Sequence, residues 1–223
     1  MKYGESIFDI LYLVFALAAG WLMVRKAGNK AGRLMGAAAL VLGAGDAFHL
    51  IPRVLNYFMD ADLSAALGFG KLVTSVTMTF FYMLMAVIWS LVFDIPLGKK
   101  VRCALWGLTA LRIILCLFPQ NGWLRNSTDM KWGILRNIPF VILGAVVCGL
   151  YFHKREENRR FKPVWLYILF SFLFYIPVAV CAGILPMLGM LMLPKTVCYI
   201  LLLAAFLFYV FRDGTGTAGS IRE

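Results

Sequence analysis

Charged side chains are scarce in this sequence. Asp, Glu, Lys and Arg make up 15% of its 223 residues, whereas about a quarter of a typical soluble domain is charged. Hydrophobic residues make up 62%, more than a water-soluble core of this size is expected to hold. The scarcity of charge therefore argues against a soluble globular domain and favours a chain whose solvent is lipid.

The sequence also lacks the residue clusters that hold metals or form disulfide frameworks. Its five cysteines are scattered, with no CxxC pair, and its two histidines are His49 and His153. A catalytic zinc ion normally takes three protein ligands, and Asp46 with His49 would supply only two. The sequence thus predicts no metal site and no other cofactor, and the cysteines are expected to be small buried apolar side chains.

Acidic residues are few in comparison with basic ones. Eleven Asp and Glu stand against 22 Lys and Arg, which gives a formal net charge of +11. In a soluble protein this excess would suggest nucleic-acid binding, but the sequence has no RNA-binding motif, and basic residues collect in the cytoplasmic loops of membrane proteins. We therefore expect no nucleic-acid partner.

Long apolar stretches fill most of the chain. A membrane-spanning helix needs about 20 predominantly apolar residues, and the apolar runs do not show the alternation of transmembrane barrel strands. The helix criterion predicts an all-α, multi-pass membrane protein with seven transmembrane helices. The predicted spans are 7–24, 35–56, 71–93, 103–119, 133–152, 163–185 and 190–211.

The loops on the two sides of the predicted membrane differ in charge. Fourteen of the 22 Lys and Arg residues fall on one side and seven on the other, with Arg112 inside the fourth span. Because the more basic side is normally cytoplasmic, the sequence predicts an N-terminus outside and a C-terminus in the cytoplasm, as in a multi-pass plasma-membrane protein. Residues 1–212 are expected to form one transmembrane domain and residues 213–223 a flexible cytoplasmic tail.

A polar stripe runs along the second predicted span. Asp46, His49 and Arg53 recur at i, i+3 and i+7, so the three side chains project from one face of a helix. Ionisable groups within a span are costly and usually mark a functional cavity. Asp46 and His49 are the candidates for acid–base catalysis if the protein is an enzyme, and Arg53 is a candidate ligand-binding residue.

Four further spans carry polar side chains in the same half of the membrane, the half away from the cytoplasm. The candidate ligand-binding residues are Lys71, Thr74, Ser75 and Tyr82 in the third span, Arg136 and Asn137 in the fifth, Tyr175 in the sixth, and Lys195 and Tyr199 in the seventh. Cations outnumber the one carboxylate, Asp46, and Arg112 would add another cation. The sequence therefore predicts an outward-facing pocket for an anion, such as a phosphate, a carboxylate or the headgroup of a membrane lipid.

The segment Gly45–Arg53, with the sequence Gly-Asp-Ala-Phe-His-Leu-Ile-Pro-Arg, resembles the Gly-Asp-Ala-x-x-Leu-x-Pro-Arg segment of some bacterial lysoplasmalogenase-family membrane proteins. The likeness extends into the Gly-rich start of the next span, from Gly68 to Tyr82. It implies hydrolysis of a lipid-like substrate, with Asp46 at the position of the family's Asp. In vinyl-ether hydrolysis an acid protonates carbon and water captures the oxocarbenium ion, so Asp46 or His49 would donate the proton and Arg or Lys would hold the phosphate.

Three functions stay open at this point. The pocket binds a small anion in a receptor or transporter, or it is the site of a membrane lipid hydrolase, or its polar groups only hold the helices together. The third alternative arises because a buried Asp can pair with a cation of a neighbouring helix, a lysine can extend to the membrane interface, and a hydroxyl can bond to the carbonyl one turn back.

Overall fold

The computed structural model describes residues 2–59, 61–125, 130–181 and 185–212 of the chain. Every regular element in these ranges is a helix. The seven α-helices are α1 (Lys2–Lys26), α2 (Lys30–Phe58), α3 (Ser64–Val92), α4 (Lys99–Leu117), α5 (Met130–His153), α6 (Val164–Cys181) and α7 (Met192–Arg212). Short 3-10 helices at Pro119–Asn121, Trp123–Arg125 and Pro186–Leu191 precede α5 and α7.

Most of these helices have the length and composition of membrane spans. Six of them, α1, α2, α3, α5, α6 and α7 with the turn before it, are long and apolar enough to cross a bilayer. Helix α4 has 19 residues, begins with Lys99 and Lys100 and carries Arg112, and it qualifies only together with the segment Pro119–Arg125, which is bent from it by 70°. The predicted all-α, multi-pass membrane fold is confirmed: six of the described helices could span alone, and a seventh span is reached if α4 and the bent segment after it count as one.

The helices overlap the predicted spans and most extend beyond them. Helix α2 begins five residues before its predicted span because Asn29 caps it, with Asn29 Oδ1 accepting a hydrogen bond from the Gly32 N–H at 2.7 Å. Helix α3 begins at Ser64 instead of residue 71, so the span predicted from Lys71 misses the first two turns of the helix. The predicted tail, residues 213–223, lies outside the described residues.

The helices pack in a ring that follows the order of the chain. Each helix contacts the next one, and α7 contacts α1, which closes the ring. Across the ring, α3 also contacts α5, and α2 contacts α7. Because successive helices run in opposite directions, α1, α3, α5 and α7 all begin at one end of the bundle, which we call the N-terminal end.

Aromatic side chains fill the centre of the ring. Phe81 and Tyr82 of α3, Tyr151 of α5 and Phe206 of α7 are fully buried, together with Phe161 from the loop between α5 and α6. Their rings pack at angles to one another, as in the pairs Phe81–Tyr82 at 5.5 Å and Phe161–Phe206 at 6.1 Å between centroids. Toward the N-terminal end polar side chains replace this aromatic core.

Helices α2 and α3 approach so closely that their backbones touch. A Cβ atom placed on Gly70 would overlap the carbonyl oxygen of Phe48 and lie 2.7 Å from His49 Cα. Small residues allow this kind of approach in membranes, where packing and not the hydrophobic effect holds helices together. The contact fixes the spacing between the polar stripe of α2 and Lys71, which follows Gly70 directly.

Substituting Gly70→Ala is expected to lower the free energy of unfolding by about 1–3 kcal/mol, because the new methyl group would meet backbone atoms that cannot rotate away. Gly149→Ala on α5 is the matched control, since a Cβ there meets no atom within 4 Å. Thermal unfolding of both variants in detergent measures the difference. Equal unfolding midpoints for the two variants would contradict the close approach of α2 and α3.

Candidate functional site

A cavity of about 510 Å³ opens at the N-terminal end of the bundle. Each of the seven helices, α1 to α7, contributes residues to the wall of this cavity. The structure brings ten of the twelve predicted site residues to its wall. These residues are Asp46, His49, Arg53, Lys71, Thr74, Ser75, Arg136, Asn137, Tyr175 and Lys195.

Tyr82 and Tyr199 do not line this cavity. Both are buried in the core, where the Tyr82 hydroxyl lies 3.2 Å from the Ser171 hydroxyl and 3.5 Å from the Tyr199 hydroxyl. Ser171 also donates a hydrogen bond to the Ile168 carbonyl oxygen of its own helix at 2.8 Å. The three hydroxyls satisfy one another inside the bundle, so these two tyrosines belong to the packing beneath the cavity.

The hydroxyl groups at the start of α3 act in two different ways. The Thr74 hydroxyl donates a hydrogen bond across to the Gly45 carbonyl oxygen of α2 at 2.9 Å. The Ser75 hydroxyl bonds within its own helix, to the Lys71 carbonyl oxygen at 2.7 Å, as is common for serine in membrane helices. Thr74 therefore ties α3 to the turn of α2 that carries Asp46.

Asp46 is held by a residue that the sequence patterns did not single out. The Tyr12 hydroxyl of α1 donates a hydrogen bond to Asp46 Oδ2 at 2.6 Å. Asp9, one turn earlier on α1, also lines the cavity and is 4% exposed, and its Oδ2 atom has no hydrogen-bond partner among the described residues. Glu5, Asp9 and Tyr12 follow one another at i, i+4 and i+7, a spacing that would have revealed this polar face of α1.

Arg112 of α4 is the most deeply buried cation of the wall, with 2% of its surface exposed. Its Nη1 atom donates hydrogen bonds to Asn137 Oδ1 at 3.2 Å and to the Arg136 carbonyl oxygen at 3.4 Å, and its guanidinium carbon lies 3.7 Å from the centroid of the Phe140 ring. Among the described residues its Nε atom has no hydrogen-bond partner and Arg112 forms no ion pair. Arg112 was expected as a possible further cation of the pocket, whereas the polar wall groups of α1 were not predicted from the sequence.

The neutral side chain of Asn137, beside Arg112, makes three hydrogen bonds. Its Oδ1 atom accepts hydrogen bonds from Arg112 and, at 2.6 Å, from the Tyr175 hydroxyl of α6. Its Nδ2 atom donates to the Gly133 carbonyl oxygen one turn back, at 2.9 Å. An amide oxygen can accept both bonds, but it brings no negative charge to the guanidinium.

Lys195 and Arg136, two other cations of the wall, also contact neutral groups. Lys195 Nζ lies 5.0 Å from the Tyr175 ring centroid and 5.3 Å from that of Tyr199, and it attracts Asp46 electrostatically. Arg136 donates a hydrogen bond to Asn121 Oδ1 at 2.7 Å and stacks over the Trp123 ring at 4.2 Å.

Arg53 differs from these cations, because it forms an ion pair with Glu5 of α1. Glu5 also accepts a hydrogen bond from the Tyr57 hydroxyl at 2.9 Å. The wall as a whole carries five cationic side chains and two carboxylates, Asp9 and Asp46. Such an arrangement can attract an anion, and its carboxylates can hold or donate a proton.

Removing the Tyr12 hydroxyl should destabilise the bundle, because Asp46 would lose its donor in a buried position. We expect Tyr12→Phe to lower the free energy of unfolding by about 1–3 kcal/mol. Tyr3→Phe on the same helix is the control, since Tyr3 is 74% exposed. Thermal unfolding in detergent compares the two, and a Tyr12→Phe variant as stable as Tyr3→Phe would show that this hydrogen bond contributes nothing.

No protein-family model, no curated protein and no solved structure matches the chain. The likeness of Gly45–Arg53 to the lysoplasmalogenase family is therefore a local resemblance that these comparisons do not test. Among the described residues, no three His, Cys, Asp or Glu side chains are grouped to hold a metal ion. The function has to be inferred from the side chains and charges of the cavity itself.

Proposed function

We propose that this multi-pass membrane protein binds a small anion in the cavity, as a receptor or transporter does. The ligand carries a phosphate or carboxylate group, either free or as the headgroup of a membrane lipid. The observation that carries this proposal is Arg112, a buried cation on the cavity wall without a carboxylate partner among the described residues.

The surroundings of Arg112 favour an anion over a structural role. Burying a charge costs several kcal/mol unless an opposite charge compensates it, and the amide of Asn137 and the ring of Phe140 supply only partial compensation. The Nε atom of the guanidinium has no hydrogen-bond partner in the described part of the chain. A phosphate or carboxylate oxygen is the group that this planar fork binds best.

The rest of the wall supports the same ligand. Lys71, Arg136 and Lys195 line the cavity together with Arg112, and the low-dielectric surroundings strengthen their attraction for an anion. A volume of about 510 Å³ lies within the range of roughly 300–1,000 Å³ found for small-molecule sites.

The membrane orientation belongs to this proposal. The end of the bundle that holds the cavity is the less basic one, so it faces the outside if the more basic loops are cytoplasmic. The N-terminus would then be outside, the C-terminus inside, and the ligand would arrive from the exterior or the outer leaflet of the plasma membrane.

Asn137→Asp is expected to weaken anion binding by roughly 10- to 100-fold, because the new carboxylate would neutralise Arg112 in place of the ligand. The substitution keeps the size of the side chain, and the oxygen that accepts from Arg112 and Tyr175 is retained. The thermal stabilisation of the detergent-solubilised protein by inorganic phosphate, measured over a range of concentrations, reports the affinity.

Asn56→Asp is the matched control, because it adds the same charge at an exposed position of α2 outside the cavity wall. It should bind phosphate as tightly as the unmodified protein. If Asn137→Asp binds phosphate as tightly as Asn56→Asp, Arg112 does not hold the anion. If no phosphate or carboxylate compound stabilises the unmodified protein, the anion-binding proposal is rejected.

A second function, that of a lipid hydrolase, is favoured by one observation. Asp46 and Asp9 lie on the same wall and interact electrostatically, with His49 beside them and its Nδ1 atom without a partner among the described residues. Neighbouring carboxylates in such a site can share a proton and divide the roles of acid and base. Asp46 would then protonate the vinyl-ether carbon of a lysoplasmalogen, as the resemblance of Gly45–Arg53 implies, and water would release an aldehyde.

If the protein is a hydrolase, Asp46→Asn should reduce turnover at least 100-fold, the usual contribution of an acid or base catalyst. Release of aldehyde or fatty acid from lysoplasmalogens and lysophospholipids by the purified protein measures this activity. Asp94→Asn, in the loop between α3 and α4 and away from the cavity, should leave turnover unchanged. Unmodified protein that hydrolyses these lipids no faster than Asp46→Asn would exclude the hydrolase.

A further inference from the structure

An apolar groove runs between α5 and α6 beside the cavity. It has a volume of about 220 Å³ and is lined by Ile134, Asn137, Ile138, Val141, Ile142, Ile176, Ala179 and Val180. Apart from the amide of Asn137, every lining side chain is a hydrocarbon. The groove therefore offers nothing to a polar ligand and suits an aliphatic chain.

The groove and the cavity share part of their walls. Asn137, Ala179 and Val180 line both of them. Asn137 is 8% exposed and holds Arg112 and Tyr175 by hydrogen bonds on its cavity side. The side chain of Asn137 therefore separates a molecule bound at Arg112 from the groove.

The groove also opens to the outer surface of the bundle. Ile138, Ile142, Ile176 and Val180 line it and yet are 37–49% exposed, and in a membrane this exposed face meets lipid chains. The lining positions on α5 run from Ile134 at the N-terminal end to Ile142 deeper in the bundle. Just beyond Ile142, Gly144 packs against the Phe172 ring, so α5 and α6 are in close contact there and the groove lies on the cavity side of that contact.

We infer that the groove between α5 and α6 is the binding site for the hydrocarbon chain of an amphiphile whose anionic headgroup occupies the cavity. This inference rests on the proposed function and narrows its ligand from any small anion to one with an alkyl or acyl chain. The chain lies along the groove, in the direction that a lipid chain takes from the membrane surface toward its centre. The headgroup then lies at Arg112 on the cavity side of Asn137, and the chain lies on the groove side of the same residue.

The test uses inorganic phosphate and the n-alkyl phosphates from butyl to octyl as ligands of the full-length protein in maltoside detergent. Apparent dissociation constants come from the shift of the thermal unfolding midpoint with ligand concentration. The Kd should fall at least tenfold from butyl to octyl phosphate, because each fully buried methylene is worth roughly a fourfold change.

Filling the groove should abolish this dependence on chain length. Ile142→Trp places a larger apolar side chain in the groove, and Leu173→Trp is the matched control, since Leu173 is 51% exposed on α6 and does not line the groove. Octyl phosphate should bind Ile142→Trp no more tightly than butyl phosphate, and inorganic phosphate should bind it normally. Leu173→Trp should keep the full dependence, and Ile138→Trp replaces Ile142→Trp if the latter unfolds at a lower temperature than the control.

The outcomes separate the groove from the cavity. If Asn137→Asp weakens phosphate binding but the Kd of the alkyl phosphates does not change with chain length, the groove is not a chain-binding site. The anion site would still be supported. If the Kd still falls with chain length in Ile142→Trp, the fall reflects uptake of the ligand by the detergent micelle. This result would also contradict chain binding in the groove. Dependence on chain length without sensitivity to Asn137→Asp would support the groove and reject the cavity as the headgroup site, and the absence of any binding would reject both.

Discussion

The free-energy cost of keeping a charged side chain away from water is the constraint on which this structure depends. For Arg53 the carboxylate of Glu5 offsets this cost. For Arg112, Arg136 and Lys195 the offset comes mainly from amides, a carbonyl oxygen and aromatic rings. Such neutral partners stabilise a cation without cancelling its charge, so the N-terminal end of the bundle keeps a surplus of positive charge.

This surplus needs rigid supports, because like charges on neighbouring helices repel one another. The backbone contact at Gly70 fixes α2 against α3, and the Thr74 hydroxyl joins the same two helices beside Asp46. Across the cavity the Asn137 oxygen joins α4, α5 and α6 by accepting from Arg112 and Tyr175. Arg112 and Arg136 are thus held by hydrogen bonds to neutral groups, whereas Arg53 is held by the carboxylate of Glu5.

Much of this arrangement could be predicted from the sequence, because hydropathy and helical periodicity are local properties. The spans and the shared face of Asp46, His49 and Arg53 follow from residue spacing alone. Depth inside a bundle does not, and for this reason Tyr82 and Tyr199, one or two turns beyond their wall neighbours, proved to be core residues.

The spacing of Glu5, Asp9 and Tyr12 marks a polar face on α1 but does not show which helix that face meets, and the groove cannot be predicted from the sequence at all. Asp9 and Tyr12 stand in an otherwise apolar helix, and only the packing of α1 against α2 turns them toward Asp46. The isoleucines of the groove have the same sequence pattern as residues that simply face lipid. Their difference arises from the separation of α5 and α6, which no single helix encodes.

The order of the ring has a consequence for how the protein assembles during synthesis. Neighbours in the chain are neighbours in space, so successive helix pairs can associate as soon as they enter the membrane. The contacts of α7 with α1 and α2 are the exception, since they join the two ends of the chain. Lys195 is on this last helix, so the wall around Asp46 is completed only when α7 docks, and a chain cut short before α7 would have most of its helices but no finished cavity.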